Sequence, residues 1–121
     1  MESNVVKLNS NSNLSLYGQY IKEREGKEII ESEIGFATYC FLDGQCYIQD
    51  IFVHPDYRRS GEALRLGDEI AKIAKEKGCN KIYGTVCPSA KGSTISLKSL
   101  LNNGFKLDSC INNFIAVVKD I

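Results

Sequence analysis

The chain has 121 residues, 43% of them hydrophobic and 25% charged, a composition typical of one soluble globular domain whose core needs neither disulfides nor metal. Fifteen basic residues balance fifteen acidic ones, which argues against a general attraction to nucleic acid or to anionic membranes. The stretch after Met1 lacks the pattern of a signal peptide, and no apolar run is long enough to span a bilayer. Five cysteines without CxxC or CxxH spacing disfavour a zinc site or a disulfide framework and predict reduced thiols in a cytoplasmic protein.

The N-terminal part of the chain has the least decisive pattern. The polar segment 8–13, LNSNSN, predicts a loop. Residues 14–23 fit two structures, and Gly18 together with the turn that follows favours a strand over a helix. In the helical alternative the apolar stripe would consist of Leu14, Tyr17 and Ile21.

Alternation and turn chemistry predict strands in the next third. Residues 28–42 alternate between apolar and polar side chains, which predicts one long strand. The Asp-Gly pair within 42–45 predicts a tight hairpin leading into a strand over 46–53. Pro55 ends that strand because proline cannot donate a hydrogen bond to the sheet.

The most regular helical pattern spans 61–77. Its apolar stripe consists of Ala63, Leu66, Ile70, Ile73 and Ala74. Charged residues cover the opposite face, and Gly78 is a fitting C-terminal cap. The apolar run 81–87 then predicts a further strand, closed by Pro88.

The remaining segment predicts one helix and a hairpin. Ser93 is a candidate N-cap of a helix that stops at Asn103-Gly104. Two strands, 105–111 and 114–120, flank the Asn112-Asn113 turn. This order of elements predicts an α+β, or mixed α/β, domain with a mostly antiparallel sheet.

The segment between the strand ending at Val53 and the helix beginning near Gly61 has the features of an anion site. The first N–H groups of a helix lack partners within the helix and lie at the positive end of its dipole. A glycine allows close approach to the backbone, and Arg58 and Arg59 add charged donors. Spacing alone does not distinguish an anion site from an ordinary strand-to-helix loop that binds nothing.

The stretch VHPDYRRSGEAL, residues 53–64, resembles the acetyl-CoA signature of the GNAT N-acetyltransferase superfamily, V-x-P-x-Y-R merging into R/Q-x-x-G-x-G/A. The matching positions are Val53, Pro55, Tyr57, Arg58, Gly61 and Ala63. Residues 47–61 are similar to spermidine/spermine-type acetyltransferases, and the later order of elements, with Gly104-Phe105 after the last helix, also agrees. The resemblance covers about residues 33–118 and implies a single GNAT-like domain over 1–121 with reduced N-terminal helices.

The resemblance implies an acetyl-CoA-dependent N-acetyltransferase that acts on an amine of a small molecule or a protein. The implied pyrophosphate site comprises the backbone amides of Arg59, Ser60, Gly61, Glu62 and Ala63, assisted by the Arg58 side chain. The implied pantetheine contact is a bulged strand formed by Ile51, Phe52 and Val53. Acetyl-CoA is thus the expected co-substrate.

The sequence departs from the family pattern at several positions. Glu62 replaces an apolar residue and would weaken an anion site. Gln49 and Leu100 occupy the places of the usual catalytic Glu and Tyr, and neither handles protons. Asp50 is the remaining candidate for the base, although strand alternation directs it away from Gln49 unless a bulge intervenes. Ser93 stands at the place of the usual Asn.

Further residues are weaker candidates. Lys91 and Lys98 are within the region expected to approach the CoA 3′-phosphate, although a solvated face explains them equally well. His54 is expected in a solvated loop and Cys87 at a strand end. The strand tyrosines are expected to pack; they are Tyr39, Tyr47 and Tyr83.

A non-catalytic GNAT-fold protein is the alternative to an enzyme. It would serve as a structural or interaction module, for instance in a bacteriophage particle. The short segment before residue 28 predicts an open acceptor side, completed by a second copy or a protein partner. Neither a nucleic-acid partner nor a membrane is expected.

Overall fold

The computed structural model describes residues 13–121, so the predicted loop 8–13 lies outside the described residues except for Asn13. The helices and strands are, in chain order, α1 (Leu16–Tyr20), β1 (Glu28–Glu31), β2 (Gly35–Leu42), β3 (Gln45–Val53), α2 (Glu62–Glu76), β4 (Lys81–Val86), α3 (Ser93–Asn102), β5 (Lys106–Ile111) and β6 (Phe114–Asp120). A π-helical turn, Ile21–Glu25, follows α1, and a 3₁₀ turn, Pro55–Tyr57, precedes α2. No helix in the described range is long and apolar enough to cross a membrane.

The strands form one six-stranded sheet in the order β1-β2-β3-β4-β6-β5. The β1–β2, β4–β6 and β5–β6 pairs are antiparallel, whereas β3 and β4 are parallel. The parallel pairing runs from Cys46 opposite Ile82 to Ile48 opposite Gly84. The prediction of an α+β fold with a mostly antiparallel sheet is therefore confirmed.

By its internal contacts the chain divides into two compact units. The first runs to Cys40 and resumes over Gln49–Ile70. The second comprises Phe41–Ile48 and Ala71–Ile121. Strands β2 and β3 and helix α2 each contribute to both units, and the single-domain organisation stays a prediction.

The predicted strand over 14–23 is wrong, because this segment forms α1 and the π-helical turn. The Ser15 hydroxyl accepts a hydrogen bond from the Gly18 N–H at 3.0 Å, which caps the helix. The Ser15 amide in turn donates to the Glu31 carboxylate at 2.9 Å. A Cβ at Gly18 would lie 3.1 Å from that carboxylate, so the glycine permits close packing rather than marking a strand.

The helical alternative for this segment correctly identified two buried residues. Leu14 and Ile21 form a buried cluster with Ile29 of β1, and Phe36 packs against it. This cluster stabilises a helix that is too short to persist alone in water. The packing, rather than local propensity, decided the structure.

The predicted single strand over 28–42 is also wrong, because it is divided into the antiparallel strands β1 and β2. The Ser32 hydroxyl accepts hydrogen bonds from the Ile34 and Gly35 N–H groups at 3.3 and 3.1 Å. These bonds close the turn between the strands. Side-chain alternation continues through the turn, so periodicity did not reveal it.

The two tight hairpins are confirmed. Asp43 and Gly44 have φ angles of 52° and 79°, as a two-residue turn with both residues at positive φ requires. Asn112 and Asn113 have φ angles of 52° and 66°. Asparagine tolerates this conformation better than most other residues.

The predicted helix over 61–77 is confirmed as α2, with Leu66, Ile70 and Ala74 fully buried. Gly78 ends it at φ +90°. α3 also exists, but Ser93 is not its N-cap: Gly92 takes that position. The Ser93 hydroxyl donates instead to the Pro88 carbonyl at 2.8 Å, so it secures the preceding loop.

Candidate functional site

Near its end, strand β3 contains one residue more than regular pairing with β2 would require. With a two-residue turn at 43–44, an unbroken pairing would place Phe36 opposite Ile51 and turn Phe52 to the other face. The Phe36 and Phe52 rings instead stack with centroids 5.7 Å apart. The buried positions shift accordingly, from Cys46 and Ile48 to Val53. We infer a one-residue β-bulge, as expected for this strand.

The bulge affects the two candidate residues for proton transfer. Gln49 and Asp50 are neighbours and yet are both exposed. The Gln49 amide donates to the Cys40 thiol sulfur at 3.4 Å. The Asp50 side chain makes no hydrogen bond or ion pair with any described residue. Because Gln49 and Asp50 are consecutive and both exposed, we infer that the bulge lies at these two residues, which places Asp50 on the face of Phe52.

The loop after β3 is built by its own hydrogen bonds. His54 Nδ1 accepts from the Asp56 N–H at 3.0 Å, and the Tyr57 N–H donates to the His54 carbonyl at 2.8 Å. His54 therefore caps the 3₁₀ turn, in agreement with its predicted position in a loop. These contacts fix where the chain leaves the strand.

The two arginines of the loop have different surroundings. Arg58 Nε donates to the Val53 carbonyl at 2.9 Å, and its guanidinium lies 5.3 Å from the centroid of the Phe52 ring. Arg59 is exposed and makes no contact of this kind with residues 13–121. Arg58 is thus held against the strand, whereas Arg59 extends into solvent.

The backbone amides at the start of α2 are mostly free. The Ser60 N–H already donates to the Tyr57 carbonyl at 3.1 Å, and the Ser60 hydroxyl donates to the same oxygen at 2.6 Å. The helical ladder begins with the Arg65 N–H bonded to the Gly61 carbonyl at 3.0 Å. The four amides of Arg59, Gly61, Glu62 and Ala63, and the Leu64 amide that follows them in the first turn, have no acceptor among the described residues.

Gly61 gives this loop its shape. Its φ of +85° is a conformation that residues with a Cβ rarely adopt, and no atom lies within 4 Å of the place where a Cβ would be. The open space beside it leaves room for a ligand to approach the four free amides. Because these amides also lie at the positive end of the α2 dipole, the loop is suited to an anion.

Glu62 does not oppose an anion as the sequence led us to expect. Its side chain is only 5% exposed, and both of its oxygens accept hydrogen bonds from Arg65, each at 2.8 Å. The bond from Arg65 lowers the pKa of Glu62, a further hydrogen bond from Ser32 adds to this, and burial only partly offsets it. The negative charge of Glu62 is therefore neutralised within the helix, and the start of α2 keeps its positive electrostatic character.

The positions that the family pattern assigns to proton donors remain filled by other residues. Leu100 lies half-buried on α3, and no tyrosine is present in that helix. Lys91 and Lys98 are both exposed. Among residues 13–121, no group of three or more His, Cys, Asp or Glu side chains is placed to bind a metal ion.

The residue that follows β4, Cys87, has a thiol whose pKa is lowered. Hydrogen bonds from the Ser89 side chain and backbone lower the pKa of Cys87, whose sulfur lies 3.2 Å from the Ser89 hydroxyl. The strand tyrosines pack as expected: the rings of Tyr47 and Tyr83 stack 5.0 Å apart, and Tyr39 is buried.

Arg65 is the functional candidate that the sequence reasoning missed. A signal was available, because Glu62 and Arg65 stand three residues apart, the spacing at which side chains meet on a helix. The aromatic contact between Tyr17 of α1 and Phe36 was missed for another reason. It depends on α1, a helix that the alternation of side chains does not reveal.

The chain matches a known protein family over most of its length. The model of the acetyltransferase (GNAT) family matches residues 10–94. The chain belongs to the GNAT acetyltransferase family. The resemblance recognised in the loop at 53–64 is thereby confirmed.

Two curated relatives of this GNAT chain are thialysine N-ε-acetyltransferases. The Bos taurus protein is 28% identical over 61 residues, which are 50% of this chain and 36% of the relative. The Sus scrofa protein is 30% identical over 53 residues, 40% of this chain and 31% of the relative. The chain thus spans about a third of the length of these relatives.

Solved structures show that the fold is shared. The PaiA N-acetyltransferase of Thermoplasma acidophilum, in complex with coenzyme A, has a TM-score of 0.74 at 17% identity, covering 88% of this chain and 69% of that one. A GNAT family acetyltransferase of Elizabethkingia anophelis with acetyl-CoA bound has a TM-score of 0.73 at 14% identity, covering 97% of both chains. At such identities the likeness supports the GNAT fold and no finer property.

Proposed function

We propose that this chain binds acetyl-CoA through the loop before α2 and transfers the acetyl group to an amine. The observation that carries the proposal is the set of four free amides around Gly61, at the start of a helix whose only acidic group in the first turn is neutralised by Arg65. A pyrophosphate is the part of acetyl-CoA that such a site accepts. The solved relatives with coenzyme A or acetyl-CoA bound give independent support.

Each part of acetyl-CoA has a proposed contact. The pyrophosphate accepts hydrogen bonds from the amides of Arg59, Gly61, Glu62 and Ala63. Arg59 is exposed and adds a positive charge, while Arg58 stabilises the strand end. The pantetheine arm follows the bulged part of β3, formed by Ile51, Phe52 and Val53.

Acetyl-CoA supplies a thioester, whose carbonyl carbon is attacked by an uncharged amine. The protein must then accept a proton from the amine, and Asp50 is the proposed base, directly or through water. It is exposed and has no competing partner among the described residues. Leu100 has no proton to donate, so the departing thiolate takes its proton from solvent.

The non-catalytic alternative gains no support from the comparisons, since the matched family and the solved relatives are acetyltransferases. The proposed acceptor is an amine of a small molecule or of a protein. We also propose that a second copy of the chain completes the acceptor side. A cytoplasmic location is likewise proposed.

Thermal unfolding with and without acetyl-CoA tests the proposal. Ligand at a hundred times its dissociation constant stabilises the folded protein by about 2.7 kcal/mol, which raises Tm by roughly 10 °C for a chain of this size. Gly61→Glu should abolish the rise, because a charged side chain then occupies the space beside the amides. Gly26→Glu is the matched control, since Gly26 has φ +66° and equally open surroundings. No rise at millimolar acetyl-CoA, or equal loss in both variants, contradicts the proposal.

A further inference from the structure

Three aromatic side chains form a recess on the first unit. Tyr17, Phe36 and Phe52 line a shallow depression of about 320 Å³ that is open to solvent. The ring of Phe36 lies 5.1 Å from that of Tyr17 and 5.7 Å from that of Phe52, measured between centroids. Tyr17 and Phe52 are 47% exposed, so both present ring surface to solvent. Exposed aromatic rings that already contact one another form a rigid apolar surface.

The recess lies next to the strand segment that we assign to acetyl-CoA. Phe52 belongs to β3, and with the bulge inferred at Gln49–Asp50 the Asp50 side chain lies two residues earlier on the same exposed face. Side chains separated by two positions along a strand lie roughly 7 Å apart. A ligand that fills the recess with a ring therefore reaches Asp50 through a short chain of atoms.

The charges around the recess select among amines. The Arg58 guanidinium lies 5.3 Å from the Phe52 ring centroid, so a second ammonium group placed there would be repelled. Asp50 is acidic, has no partner among the described residues, and attracts a single ammonium group. This arrangement favours an amine with an uncharged ring over a polyamine.

We propose that the recess binds the acceptor, and that the acceptor is a primary amine carrying an aromatic ring. The proposal rests on the proposed acetyl transfer. The ring packs among Tyr17, Phe36 and Phe52 while the amine lies beside Asp50. The amine nitrogen forms a bond to the acetyl carbon and the bond from that carbon to sulfur breaks. The amine proton passes to Asp50 and then to solvent, and the thiolate of CoA takes up a proton from solvent.

Calorimetric titration with 2-phenylethylamine tests the assignment, with hexylamine and spermidine as comparisons. The titrations are made on the full chain with and without acetyl-CoA, and release of free CoA thiol is measured with each amine. We expect 2-phenylethylamine to bind about tenfold more tightly than either comparison amine and to be acetylated fastest.

Tyr17→Ala and Tyr20→Ala form a matched pair, because both tyrosines lie on α1 and are 47% and 50% exposed. Tyr17→Ala should weaken binding of 2-phenylethylamine about tenfold, Tyr17→Phe should restore it, and Tyr20→Ala should leave it unchanged. Acetyl-CoA should raise Tm equally in all three. If acetyl-CoA stabilises the wild type but the amine shows no preference for a ring, or if the two alanine variants behave alike, the recess assignment is wrong. If acetyl-CoA stabilises none of them, the proposed function fails and the acceptor role fails with it.

Discussion

Two helices in this chain begin beside a glycine in the left-handed region with open space around it. Gly61 precedes α2 at φ +85°, and Gly92 precedes α3 at φ +79°. α2 buries three residues completely and follows a loop with two arginines, whereas no residue of α3 is buried. In α2 the acidic group of the first turn is bonded within the helix. In the proposed anion site the glycine is thus combined with an anchored helix and a neutralised acidic group, whereas at α3 the glycine stands before a helix without buried residues.

The largest difference between the two helices should appear in their contribution to stability. Leu66→Ala in α2 should lower the free energy of unfolding by about 3 kcal/mol, because Leu66 is fully buried and its loss leaves a cavity. Ile95→Ala in α3 should change it by less than about 0.5 kcal/mol, since Ile95 is 75% exposed. Urea unfolding measures both. Similar losses in the two variants would show that α3 is anchored after all.

Arg65 should matter next most, because its loss should lower both the stability of the fold and the affinity for acetyl-CoA. Arg65→Ala leaves the Glu62 carboxylate buried without its main partner, which should cost about 2 kcal/mol of stability. A charge left unpaired roughly 8 Å from a phosphate, at an effective dielectric of about 20, is repelled by about 2 kcal/mol, or roughly thirtyfold in acetyl-CoA affinity.

The double variant Glu62→Gln/Arg65→Ala provides the control. Removing the carboxylate should restore most of the acetyl-CoA affinity measured by calorimetry. Affinity that stays low in the double variant would mean that Arg65 contacts the ligand itself.

Titration of Glu62 should have a smaller effect on stability than the loss of Arg65. The pKa of Glu62 is lowered in the folded state, chiefly by Arg65. Its contribution is therefore complete above the ordinary carboxyl pKa of about 4.5 and is lost as pH falls through the lower folded value. Glu62→Gln should lose less stability than the wild type between pH 7 and pH 3 in urea unfolding. Glu76→Gln, at the exposed end of the same helix, should follow the wild type.

The later part of the fold could be predicted because its signals are local. The Asp43-Gly44 and Asn112-Asn113 turns require positive φ angles, which these residues tolerate. The apolar spacing of α2 marks its buried face directly. Before residue 36 the structure depends on contacts between distant residues, such as Ser15 with Glu31, and no periodic pattern records them.

The candidate site was predictable in its backbone and not in its side chains. The strand, the glycine and the following helix mark the loop at 53–64 in any sequence that resembles this family. The lowered pKa of Glu62 depends on the rotamer of Arg65 and on a hydrogen bond from Ser32, a residue distant in sequence. The bulge in β3 brings Phe52 against Phe36 of β2, so the recess could be found only in three dimensions.

The most direct test compares the backbone amides at the starts of the two helices. Proton–nitrogen correlation spectra of ¹⁵N-labelled protein, recorded during titration with acetyl-CoA, report each amide separately. We expect the largest shift changes at Gly61, Glu62 and Ala63, with residues 92–95 changing less. Saturating acetyl-CoA that leaves the Gly61 and Ala63 amides unmoved, or that shifts residues 92–95 more, would contradict the assignment of the α2 start as the pyrophosphate site.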